Sequence, residues 1–155
     1  MSPTGSRGPF SSTGSRGPLT GAGSRPDPAP RHEARERALT LLYEATAKEM
    51  SVVDVLRSLP VRPDPFTVEL VIGVAEQAGE IDRLISGSAL GWDLGRMPWV
   101  DLALLRIATY ELVATATPVA VVIDEAVELA KEYSTEDSPR FVNGVLSSIA
   151  AVSRG

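Results

Sequence analysis

From residue 32 to the end of the chain, apolar residues recur at intervals of three and four. That spacing places them on one face of an α-helix. His32–Lys48 carries Ala34, Ala38, Leu41, Leu42 and Ala45 in this register, and a short helix is predicted over Val52–Leu59. The run PVRPDP at Pro60–Pro65 then breaks the chain, because proline lacks the N–H that a helix interior needs. Phe66–Ile85 is predicted as one long helix through Val68, Val71, Ile72, Ala75, Ala78 and Ile81. GWDLGRMP, Gly91–Pro98, reads as a linker with at most one helical turn. Three further helices are predicted: Trp99–Ala114, one opening at Pro118 and carried to Tyr133, and Pro139 to about Val152. Strand alternation is nearly absent, and Val119–Ile123 is the one ambiguous run. The expected class is all-α, with six to seven helices.

Residues 1–30 break this pattern. They are mostly Gly, Ser, Pro, Thr and Arg, with T-G-S-R-G-P at Thr4–Pro9 and again at Thr13–Pro18. Units so short and polar cannot stack as a solenoid or bury a core, so a disordered tail is expected there, ahead of one helical domain over 31–155. Its Arg- and Ser-rich, acid-poor composition is shared with transit peptides, but so many Gly and Pro oppose an amphipathic helix. The net charge of −5 hides two unlike parts. Residues 1–37 hold six Arg against three acids, whereas 38–155 hold nine Lys and Arg against 17 acids. Any contact with an anionic partner must therefore be local, on a body that otherwise repels it.

Little of the familiar chemistry of enzymes is present. The chain has no Cys and a single His, which excludes a disulfide scaffold, a thiolate metal site and a Cys nucleophile. No phosphate loop or nucleophile elbow occurs. No run reaches the roughly 18 apolar residues of a membrane span, and a cytoplasmic protein without metal or cofactor is the expectation. Glu125, Glu128 and Glu132 share one stripe of their helix, which reads as a solvated acidic face, since a di-metal centre also wants Glu-x-x-His pairs. Glu111 is less ordinary. It projects within about 20° of Val100, inside an apolar stripe, where a carboxylate needs a partner. An internal pairing with Arg or Tyr and a contact to another protein both remain open for it.

Two faces can hold a nucleic acid. Arg31 and Arg35 lie one turn apart and project within about 40° of each other, with His32, Leu39 and Tyr43 continuing that flank and Arg37 pointing away. Basic groups beside an aromatic suit phosphates and an unpaired base; a solvated helix start is the plainer alternative. In SPRFVNGVL, Ser138–Leu146, Ser138 is a candidate cap before Pro139. Asn143 and Gly144 are then poor helix formers, the Gly by about 1 kcal/mol. Arg140, Asn143, Gly144 and Ser147 share a stripe, so Gly144 admits either a packed helix or a ligand. Phe141, on a neighbouring flank, serves as core or stacking surface.

Three stretches resemble the transcription antitermination factor NusB family: ARERALTLLYE (Ala34–Glu44), VDLALLRIATYEL (Val100–Leu112) and IDEAVELAKEYSTEDSPRFVNGVLSSIA (Ile123–Ala150). The resemblance runs from about Arg31 to Val152. It implies an all-α fold of two packed helical subdomains, no enzymatic activity, and binding of boxA-type single-stranded RNA in leader and ribosomal transcripts. The implied partners are NusE, a small-subunit ribosomal protein, and RNA polymerase with NusA and NusG; a homodimer is the further association considered. The implied RNA-binding residues are Arg31, His32, Arg35, Tyr43, Asp137, Phe141 and Asn143, joined by Arg140 from the shared stripe. The implied partner contact is Asp101, to which Glu111 is added. The sequence departs from the family pattern where His32 and Glu33 thin the arginine cluster, at Leu102 and at Asp124. Two alternatives stand beside this reading. One is a helical interaction module without RNA binding. The other is a relative of the NusB-like domain of rRNA cytosine methyltransferases, which needs a cofactor domain beyond Gly155.

Overall fold

The computed structural model describes residues 28–155, so most of the expected tail lies outside the described part. Residues 31–155 form one compact unit. Seven α-helices are present among the described residues: α1 Pro28–Lys48, α2 Val52–Ser58, α3 Pro65–Glu76, α4 Ala78–Ser88, α5 Trp99–Ala114, α6 Val119–Tyr133 and α7 Ser138–Ser153. A 3-10 turn, Leu94–Arg96, interrupts the linker before α5.

The predicted single helix over 66–85 is two. Gln77 leaves helical geometry at φ −109° and ψ 23°, yet its N–H still reaches the Gly73 carbonyl and its carbonyl still accepts from Ile81. The result is a bend between α3 and α4 rather than a loop. The start of α3 follows from its sequence: Asp64 Oδ1 accepts from the Phe66 N–H at 2.7 Å, and Pro65 occupies the first helical position, where no N–H is needed. The ambiguous run at Val119–Ile123 is helical, inside α6.

The fold is organised around α5. Asp101, Ala103–Leu105 and Ile107–Leu112 are all buried, as expected of a helix covered on most sides. Leu41, Val55, Leu70, Ile81, Ile85, Leu129, Leu146 and Ile149 add the large fully buried side chains of the surrounding helices. Each such side chain contributes roughly 1.5–3 kcal/mol by leaving water. Gly73 lets α3 approach closely, because a Cβ there would lie 2.1 Å from the Tyr110 ring of α5.

Three sets of contacts fix directions along α5. On α1, Arg35 bonds Glu111 and Tyr43 packs edge-on against Trp99, so α1 runs antiparallel to α5. On α7, Ser138 bonds Asp101 and Arg154 bonds the Leu112 and Thr115 carbonyls, so α7 runs parallel to it. The start of α7 and the start of α1 therefore lie at opposite ends of the central helix.

Candidate nucleic-acid interface

The expected site residues fall into two groups. The first is at the C-terminal end of α5 and is largely internal. Arg35 is only 4% exposed. Its Nε and Nη2 donate to the two carboxylate oxygens of Glu111 at 2.7 and 2.8 Å, and its Nη1 lies 3.5 Å from Glu125 Oε1. Burial pulls the Arg35 pKa down, but hydrogen bonding to Glu111 and the nearby carboxylates outweigh it and raise the pKa overall. His32 Nδ1 donates to Glu125 Oε1 at 2.7 Å. Arg31 places its guanidinium carbon 3.9 Å from the centroid of the Phe66 ring, a cation–π contact.

These placements correct three expectations. Arg35 is withdrawn from water and turns Nε and Nη2 inward to a buried carboxylate, so it is not the open phosphate ligand that the sequence suggested. Glu111, 1% exposed, serves the internal pairing and has no surface to offer a partner. Glu125 lies outside the solvated acidic face, because α1 covers it; only Glu128 and Glu132 of that stripe are exposed.

Asp101 is corrected in the same way. It is 2% exposed and accepts hydrogen bonds from Ser134 Oγ at 2.5 Å and Ser138 Oγ at 2.9 Å. It thus fastens the α6–α7 turn to α5. Ser138 is drawn into this clamp and into contacts with Thr135, so it does not cap α7. The cap position is Asp137, whose carboxylate makes no capping hydrogen bond.

The second group is open to water; it begins near the N-terminal end of α5, where Ser138 meets Asp101, and continues along α7. Tyr43 is 59% exposed, with its ring centroid 5.3 Å from that of Trp99. Asp137, Arg140, Asn143, Gly144 and Ser147 are exposed, and Phe141 is half-buried. A Cβ at Gly144 would meet nothing within 4 Å. Helix packing therefore does not explain this glycine, and the stripe faces solvent. Phe141 packs on Trp92 of the α4–α5 linker, with centroids 5.1 Å apart and planes tilted by 56°.

The two groups do not meet as the sequence suggested. Asp101 and Glu111, the anchors of their respective ends, are separated by roughly 15 Å of helix at 1.5 Å per residue. The start of α7, fastened to Asp101, is thus at the opposite end of α5 from the Arg35–Glu111 pair, and Phe141 and Asn143 follow it along α7. Trp92 and Trp99 were absent from the expected site. Their signal was available, because the chain has only two Trp and one interrupts a Gly-rich linker.

The NusB family model matches residues 32–151, which takes in all seven helices almost entirely. The chain belongs to the NusB family. It is 46% identical over 127 residues to the transcription antitermination protein NusB of Kineococcus radiotolerans, covering 79% of this chain and 93% of that protein. Among solved structures, T. maritima NusB matches with a TM-score of 0.70 and 36% identity, over 78% of this chain and 90% of the other. A chain from the crystal structure of antitermination factors NusB and NusE in complex with dsRNA matches with a TM-score of 0.67 and 26% identity, over 80% and 98%. The NusB likeness therefore spans both the buried cluster and the exposed α7 face.

Proposed function

We infer that the chain is a transcription antitermination factor without catalytic activity, which binds boxA-type RNA together with NusE and acts on RNA polymerase with NusA and NusG. Family membership supports the activity, and the related complex of NusB, NusE and RNA supports the partners. No group of three or more His, Cys, Asp or Glu among the described residues is arranged to hold a metal. No helix among them is long and apolar enough to cross a membrane, in keeping with action on transcripts in the cytoplasm.

The observation that carries the site is the exposed face of α7. It combines an exposed Arg140 with no ion pair among the described residues, the Asn143 amide, a glycine with open space around it and the half-buried Phe141. An amide can donate and accept to a base edge, an aromatic supports stacking, and Gly144 lets a backbone approach. Tyr43 supplies a second exposed ring at the same end of α5. Arg31 and His32 remain as half-buried groups at the other end, where they suit a flanking phosphate rather than a base.

The acidic body explains why a partner is needed. Residues 38–155 carry nine basic against 17 acidic side chains, so long-range electrostatics oppose RNA. A partner that brings positive charge beside the site would offset this repulsion. Fluorescence anisotropy with labelled boxA-type RNA, its duplex and a scrambled strand, each with and without NusE, tests the reading. Tighter binding of the single strand, strengthened by NusE, is expected. Equal binding of all three RNAs would reduce the reading to a diffuse charge effect.

A further inference from the structure

The α4–α5 linker places an indole where a buried core residue is not required. Trp92 is 52% exposed, although one side packs on Phe141. Gly91 precedes it at φ +85°, a left-handed conformation open to glycine at little steric cost. The turn is then locked by Asp93, whose Oδ1 accepts from the Gly95 N–H at 3.0 Å. Gly91, Trp92, Asp93 and Arg96 line one open hollow of about 290 Å³. Arg96 is exposed and makes no ion pair among the described residues. Indole, guanidinium and hollow are therefore held together by a short, capped turn.

We propose that Trp92 and Arg96 form a further nucleotide position, adjoining Phe141, in which the indole stacks an unpaired base and the guanidinium binds its phosphate. The proposal rests on the RNA reading above and extends the α7 face across the linker. A half-exposed Trp also suits a protein contact. Nucleic acid is favoured by the company it keeps: Arg96 lines the same hollow, and Arg140 precedes the Phe141 ring that Trp92 touches. Both are free of ion pairs among the described residues. The Asp93 carboxylate, engaged with the turn, faces the same hollow and would repel a phosphate placed beside it, so the phosphate belongs on the Arg96 side. Stacking tolerates any base, since every base offers a π-face; this position would add affinity without adding sequence preference.

The test uses the full chain with Trp99→Phe, which leaves Trp92 as the only indole. Single-stranded boxA-type RNA is titrated, with NusE if needed for binding, while anisotropy of the RNA and emission of Trp92 are followed together. NusE alone is the control. Quenching of Trp92 at the RNA concentration that changes anisotropy is expected. Trp92→Ala should weaken binding roughly five- to 150-fold, the range for loss of one stacked base, with Trp92→Phe restoring most of it. Arg96→Gln should flatten the salt dependence by about 0.7 in log–log slope. Melting curves on each variant separate these effects from misfolding. RNA binding with unchanged Trp92 emission, and unchanged affinity in Trp92→Ala and Arg96→Gln, would overturn this position while leaving the RNA reading intact. Quenching by NusE but not by RNA would overturn it in favour of a protein contact. No anisotropy change under any condition would overturn both.

Discussion

Arg35 of α1 and Glu111 of α5 grip each other through two parallel hydrogen bonds of 2.7 and 2.8 Å, with both side chains withdrawn from water. The pair joins segments 76 residues apart and sets the direction of α1 against the central helix. Desolvating two charges offsets most of their attraction, so the pair adds little over an apolar replacement, whereas removing one partner strands the other. Arg35→Ala should therefore destabilise the fold by about 3–5 kcal/mol. The double replacement Arg35→Met with Glu111→Leu should recover most of that loss in a denaturant titration. A mild effect of Arg35→Ala would mean that Glu111 reaches water after all.

Two glycines should respond in opposite directions. Gly73→Ala drives a methyl group into the Tyr110 ring and should cost about 1–3 kcal/mol by overpacking. Gly144→Ala meets open space and should stabilise α7 by roughly 0.5–1 kcal/mol. If Gly144 admits an RNA backbone, the same change will weaken RNA binding while it raises the melting temperature. Gains in both would return Gly144 to an ordinary surface position.

Much of the architecture was readable from periodicity. The helices over 119–133 and 138–153 follow apolar spacing closely, because each buries one dominant face on its neighbours, and the helix over 99–114 is apolar enough to be buried on most sides. The bend at Gln77 was not readable: no proline marks it, and hydrogen bonds cross it in both directions. The site was legible only in part. Helical angles placed Arg31, His32 and Arg35 on one flank, but an angle cannot say whether that flank meets solvent or Glu111. The same limit applied to Asp101, whose two hydroxyl partners come from the α6–α7 turn. Exposure of Asn143 and Gly144 followed from tertiary structure alone, since the same stripe would have served a packed helix equally well.

Alkaline pH should expose a second tie to α5. Burial, and then the hydrogen bond that its hydroxyl donates to Glu69, push the Tyr110 pKa up from 10.0 to about 12. The folded state then holds a proton that the unfolded chain has already released. The stabilisation is complete below pH 10 and is lost as pH rises through about 12. Tyr110→Phe should be less stable than the parent at neutral pH, with the gap narrowing across that window in urea titrations. A gap that stays constant would mean that the hydroxyl proton is not linked to folding.

Asp137 should oppose RNA. It is exposed at the start of α7 and its carboxylate caps nothing, so Asp137→Asn removes a negative charge beside Arg140 and Phe141 at little cost in stability. Binding of boxA-type RNA should tighten severalfold at low salt, and the gain should shrink at high salt as screening shortens the reach of the charge. A gain unaffected by salt would point to a new hydrogen bond from the amide.

The most direct measurement compares the two ends of α5 in one RNA titration. Single-stranded boxA-type RNA is bound, in the presence of NusE, to the parent chain, to Phe141→Ala and to the Arg35→Met, Glu111→Leu pair, all confirmed folded by their melting curves. Phe141→Ala should lose roughly five- to 150-fold in affinity, the loss typical of one stacking ring, while the paired replacement should bind almost as the parent does. The reverse order, with Phe141→Ala unaffected and the paired replacement crippled, would place the RNA on the basic cluster at the start of α1 and contradict the assignment to α7.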